Sequence, residues 1–259
     1  MGSYLNLTAT DGHRPRAYAA GDPDEARGLV LCHGHAGLNR HVRRVADRMA
    51  ALGFRVVAPA LFDRAAPGLE LADTTDDRAR GVALAAQLLT AQIMLDVAAA
   101  AGAIGRSAIA VLGYDFGATV AWHAAANVPA FRAAVCFYGA GIADARQTTP
   151  RCPTQLHFGE YDDHIPAVYV EAIHHAQPAV AIEFYPETAH GFACGEMESL
   201  NRAAAEAAHD NALAFLQRHL GATQRAKPHA EPANDRVAVR ARIPERAWQH
   251  VAFGRRAYA

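Results

Sequence analysis

The run Ser107-Ala108-Ile109-Ala110-Val111-Leu112-Gly113-Tyr114-Asp115-Phe116-Gly117-Ala118-Thr119-Val120-Ala121-Trp122-His123-Ala124-Ala125 decides how this chain is read. Ser107 to Leu112 is a short apolar run and reads as a buried strand. Ala118 to Ala125 reads as a helix. Between them, Gly113 and Gly117 frame a sharp strand-to-helix turn. Such an elbow projects its central side chain above a sheet, where a nucleophile belongs. Serine or cysteine is the usual occupant; here it is Asp115.

Outward from this elbow, short apolar runs alternate with longer helical patterns, which predicts a mostly parallel sheet flanked by helices. Arg27 to Cys32 reads as a strand leading into His33-Gly34-His35-Ala36-Gly37. A helix is expected from about Asn39 to Leu52, with Val42, Val45, Ala46 and Met49 on one face and Gly53 as its stop. Further strands are expected at 54–58, 133–138, 154–158 and 180–185, with one long helix from Asp77 to about Ala101 and another from Leu200 to Leu220. About fifteen residues separate the strands ending at Tyr138 and starting at Thr154, too few for a helical cap domain. The pattern is that of an α/β-hydrolase fold without a cap. In that fold the nucleophile is followed by an acid and then a histidine. Asp162, after the strand ending at Phe158, and His190, after the last strand, stand in that order.

Composition sets the outer limits. The chain has 259 residues, 51% of them hydrophobic, and a formal net charge of −1, which argues against general nucleic-acid binding. From Gly221 onward there are eight Lys or Arg against three Asp or Glu, so residues 221–259 are expected to form a basic tail on a 1–220 domain. Trp248, Val251 and Phe253 would anchor that tail on the body or on another subunit, a route to a homo-oligomer. Four cysteines without Cys-x-x-Cys spacing read as free thiols of a cytoplasmic protein. Gln87, Gln92 and Asp96 interrupt the apolar stretch from Val82 to Ile104, which favours a core helix over a membrane span. His33, His35 and Asp63 do not amount to a zinc site, and no metal or cofactor is expected.

The Gly-Tyr-x-x-Gly elbow, Phe158-Gly159-x-x-Asp162 with Pro166 after it, Ala189-His190-Gly191-Phe192-Ala193 and the loop Leu61 to Gly68 together resemble the dienelactone hydrolase family, over roughly residues 25–220. The resemblance implies Asp162 and His190 as triad partners and oxyanion-hole N–H groups from His35 and Phe116. The family has cysteine where this chain has Asp115. It also has a substrate-binding arginine four residues after the catalytic histidine, where this chain has Cys194. Arg78 or Arg80 falls near the family's other substrate-binding arginine, and Tyr114 and Tyr138 join them as candidate substrate contacts.

Aspartate changes the expected chemistry. Cysteine, with a reference pKa of about 8.5, needs a base to ionise it, whereas aspartate at about 3.9 does not. His190 is then free to activate water. A carboxylate attacking a saturated carbon forms an alkyl ester that such water hydrolyses at the Asp115 carbonyl. Dehalogenation of a small haloacid or opening of an epoxide is the leading expectation. Ester or lactone hydrolysis, and a non-catalytic binding protein that keeps the fold, are the alternatives.

Overall fold

Residues 2–72, 74–105, 108–195, 197 and 199–221 are described by the computed structural model. The expected basic tail lies outside them. Eight strands form one sheet: β1 (Ser3–Asn6), β2 (Arg16–Ala20), β3 (Arg27–Cys32), β4 (Arg55–Pro59), β5 (Ala108–Tyr114), β6 (Phe131–Phe137), β7 (Thr154–Gly159) and β8 (Ala181–Tyr185). Their order across the sheet is β1-β2-β4-β3-β5-β6-β7-β8. The β3 to β8 portion is parallel throughout, while β1 and β2 add antiparallel at one edge. Strands β3 and β5 are buried almost throughout, as strands covered on both faces by helices should be.

The helices are α1 (Arg40–Ala51), α2 (Thr75–Ala85), α3 (Thr90–Ile104), α4 (Phe116–Asn127), α5 (Ala167–Ala176) and α6 (Arg202–Leu220). Helix α1 starts where Asn39 accepts a hydrogen bond from the Val42 N–H, and it buries Val42, Ala46 and Met49. Asn201 caps α6 in the same way through the Ala204 N–H. Helices α3 and α4 pack together over the centre of the sheet, α1 lies on β4 and β2, and α6 covers β5 to β7.

Two features differ from the sequence expectation. The hairpin β1–β2 was not expected, since four- and five-residue strands carry little pattern of their own; it is held by pairing with β4. The single long helix is two helices, α2 and α3, bent by 98°. Leu89 sits extended at the break. Helix α3 buries six apolar side chains and Asp96 against the core, whereas α2 buries only Gly81 and Leu84. Core packing of one half and seating of the other over the strand ends demand different directions. No single described helix is long and apolar enough to cross a membrane.

As expected, no cap intervenes between β6 and β7. The link holds only a short 3-10 turn, Ala140–Ile142, and further turns. Parallel register then does the positioning. Cys32 pairs with Gly113, Tyr114 with Phe137, Phe137 with His157, and Gly159 with Tyr185. The carboxyl ends of β3, β5, β7 and β8 therefore finish along one edge, the place where open parallel sheets bind ligands.

Candidate active site

The elbow is as tight as the sequence requires. Asp115 has φ 55° and ψ −119°, a conformation that costs an ordinary residue roughly 1–3 kcal/mol. The surroundings enforce it. A Cβ on Gly113 would stand 1.9 Å from the Gly117 carbonyl oxygen, and one on Gly117 would stand 2.3 Å from that of Cys32. Only glycine lets β3, β5 and α4 approach this closely. The Asp115 N–H is held by the Phe137 carbonyl at 2.9 Å, which locks the turn to β6.

Three side chains from three strand ends meet at this elbow. His190 Nδ1 donates to Asp162 Oδ2 at 2.8 Å. The other Asp162 oxygen accepts the backbone N–H groups of His164 and Ile165, at 2.9 and 3.0 Å. That buried carboxylate is thereby aimed and the His190 tautomer set. His190 Nε2 stands 3.6 Å from Asp115 Oδ1, longer than a hydrogen bond but close enough for strong charge attraction. On the far side, Asp115 Oδ2 takes the His35 backbone N–H at 3.2 Å and His35 Nδ1 at 2.5 Å.

Electrostatics follow from this arrangement. Burial pushes the Asp115 carboxyl up, but the imidazoles of His190 and His35 outweigh it and hold the group well below the usual carboxylate range. Burial pushes His190 down, yet the flanking carboxylates Asp115 and Asp162 win and raise it to about 9. At neutral pH the resting pair is a carboxylate facing an imidazolium.

A cavity of about 280 Å³ opens above Asp115 and His190. Of the expected substrate contacts, Tyr114, Tyr138, Arg78 and Cys194 line it, and Arg80 does not. Both arginines are exposed, and of the two Arg78 reaches the cavity wall. Tyr138 is buried with φ 42°, its ring edge-on to His190 at 5.2 Å, and its hydroxyl finds no hydrogen-bond partner among the described residues. Phe116 opens α4 and stacks on Phe62. Trp122 is fully buried and donates to the Ala145 carbonyl, a core role. His33 spends both ring nitrogens on backbone, Gly34 O and Leu61 N, while Asp63 ties down the N–H groups of Arg16 and Gly68.

Some lining residues carried no usable signal in the sequence. His41, Val82 and Met197 join the cavity wall only through the packing of α1, α2 and the loop after His190. His164 could have been suspected, lying two residues beyond Asp162, and its ring stands edge-on to His190 at 4.9 Å. A second cavity of similar size lies between α1 and α6, behind a wall formed by His41 and Tyr114. Tyr114 turns its hydroxyl that way, to His209 at 3.0 Å.

Known proteins similar to this chain point to one family and one fold. A putative carboxymethylenebutenolidase of Synechocystis sp. is 29% identical over 204 residues, covering 71% of this chain and 82% of that protein. The carboxymethylenebutenolidase of Pseudomonas putida is 27% identical over 231 residues, covering 82% of this chain and 94% of its own. Among solved structures, a putative dienelactone hydrolase from Klebsiella pneumoniae superposes with a TM-score of 0.72 at 21% identity, covering 84% of this chain and 99% of that one. A dienelactone hydrolase-like promiscuous phosphotriesterase from metagenomic libraries reaches 0.65 at 17% identity, with 85% and 99% covered. These two likenesses speak for the fold. The model of the dienelactone hydrolase family matches residues 16–220, spanning the elbow and both of its partner loops, and the chain belongs to that family.

Proposed function

We propose that this hydrolase cleaves a small carboxylic ester or lactone, with Asp115, His190 and Asp162 as its catalytic groups. Family membership favours that substrate class over haloacids and epoxides, the leading expectation from sequence. The observation that carries the mechanism is His190 held between Asp162 and Asp115 at the floor of the cavity.

Asp115 is ionised without help, so His190 has no proton to remove from it. Asp115 Oδ1 adds to the substrate carbonyl carbon, and the acyl–oxygen bond then breaks. The departing oxygen takes its proton from His190, whose pKa of about 9 keeps it protonated at neutral pH. Acylation removes the negative charge of Asp115. His190, now neutral, accepts a proton from water as that water attacks the acyl-Asp115 anhydride. The products are the acid and the alcohol, and Asp115 is restored.

A second reading keeps attack at a saturated carbon, with release of halide or opening of an epoxide. What favours it is the placement of Asp115 Oδ2 on the His35 N–H, which leaves Oδ1 turned toward His190 and the cavity. A nitrophenyl acetate, a five-membered lactone and a 2-chloro acid offered separately distinguish the two. On the ester, nitrophenolate leaves without a proton, so His190→Ala acylates but lacks the base for water, and a 42-dalton class of acetyl adduct (about the mass of ketene, by atom count) should map to Asp115 by mass spectrometry. Chloride release without ester or lactone turnover would select the second reading. Full ester turnover by Asp115→Asn would remove Asp115 as nucleophile.

A further inference from the structure

His35 reaches Asp115 twice. Its backbone nitrogen lies 3.2 Å and its ring Nδ1 2.5 Å from the same oxygen, Oδ2. An ionised carboxylate only accepts hydrogen bonds, so both His35 groups donate. Oδ1, by contrast, faces His190 Nε2 across 3.6 Å. His35 is also braced. Gly81 of α2 packs so closely that a Cβ there would stand 2.1 Å from the His35 carbonyl oxygen. The His35 ring leans on Phe116, with centroids 5.7 Å apart.

We propose that the His35 imidazole is a catalytic group which, with its own backbone N–H, makes the Asp115 carboxyl carbon the atom that water attacks. This rests on Asp115 being the nucleophile, as argued above, and adds which carbon of the intermediate is hydrolysed and which side chain decides it. With two donors on Oδ2, Oδ1 is the oxygen that bonds to the substrate. The resulting anhydride has two carbonyl groups, and the Asp115 carbonyl oxygen is the one already seated on two N–H donors. Water gives a proton to His190 Nε2 as its oxygen bonds to Asp115 Cγ, and the carbonyl π pair moves onto Oδ2. Collapse of that oxyanion breaks the Cγ–Oδ1 bond, and Oδ1 leaves with its bonding pair in the product carboxylate. Asp115 retains Oδ2 and the oxygen of water, and its remaining proton is lost to solvent. The alkyl ester of the second reading would be opened at Cγ in the same way, except that Oδ1 leaves in the product alcohol and takes back the proton that His190 accepted from water.

A single turnover of nitrophenyl acetate in ¹⁸O-water tests this. The expected result is one ¹⁸O in the Asp115 peptide and none in acetate. His35→Ala keeps the backbone donor and loses the imidazole. Its nitrophenol burst should keep full amplitude while the rate after the burst falls about a hundredfold, the usual loss for one oxyanion donor. His35→Asn, which restores a side-chain N–H, should recover part of that rate. An undiminished rate after the burst in both variants overturns the role of His35 and leaves Asp115 as nucleophile. Label confined to acetate, with the acetyl adduct still formed on Asp115 in His190→Ala, overturns attack at Cγ alone. Label confined to acetate with no such adduct overturns both readings.

Discussion

His190 and His157 are two imidazoles held inside the same sheet edge, and their surroundings drive them in opposite directions. His157, in the middle of β7, is fully buried and bonds the Tyr185 hydroxyl at 2.9 Å and Gln155 Oε1 at 3.1 Å, with Phe137 stacked on its face at 4.4 Å. Burial pushes it down to about 3, and the neighbouring imidazole of His209 acts in the same direction. His190, on the loop after β8, loses solvent as well, but two carboxylates flank it and raise it to about 9. The comparison teaches that burial by itself neutralises a histidine. What keeps one of them charged at neutral pH is the placement of Asp115 and Asp162.

The two also couple to stability with opposite signs. The His190 contribution is fully present below its unfolded value of about 6.5 and is lost as pH rises through about 9. The His157 contribution is present above about 6.5 and is lost as pH falls toward about 3.

The contrast is broken most severely at Asp162. Asp162→Asn removes one of the two carboxylates, so kcat on a nitrophenyl ester should fall by about 10⁴, as when the orienting acid of a serine-protease triad is lost. In the same variant the His190 midpoint, followed by NMR titration, should move down from about 9. An unchanged midpoint would mean that Asp162 does not set the charge of His190. His157→Ala should do the reverse. It leaves Tyr185 and Gln155 without their imidazole partner and opens a cavity, which should cost about 2–4 kcal/mol in urea unfolding while kcat of the folded enzyme stays put. A large loss of kcat without loss of stability would dissolve the distinction between the two histidines.

Acidity of His190 gives the next effect. In the free enzyme it must be protonated to serve a leaving alkoxide, so kcat/KM for an alkyl ester should decline above pH about 9, approaching tenfold per unit. A profile that instead rises through that range would mark His190 as a base from the start. The smallest effect is expected at the wall shared by the two cavities. Tyr114→Phe removes the hydroxyl bond to His209 and should lower stability by about 1 kcal/mol or less.

Much of this site was legible in the chain. Gly113 and Gly117 are dictated by local backbone clashes, so the elbow declares itself over five residues. Asp162 and His190 follow strands whose apolar runs are visible without a structure. Helix α1 announced its approximate extent and its buried face. What stayed hidden depends on packing between distant segments. The bend between α2 and α3 comes from α3 filling the core while Gly81 seats α2 on His35. That same seating brings Arg78 to the cavity wall and keeps Arg80 off it.

By itself the sequence determined the α/β-hydrolase fold, the absence of a cap between β6 and β7, and an aspartate at the centre of the elbow. These are properties of short-range periodicity, turn sterics and residue identity, which need no partner in space. Tertiary structure alone decided that one oxygen of Asp115 rests on two His35 donors while the other faces His190. It also decided that His190 is charged and His157 is not. Both outcomes depend on distances of a few ångströms between residues tens of positions apart, and at that range Coulomb attraction and hydrogen-bond geometry outweigh anything written in the local sequence.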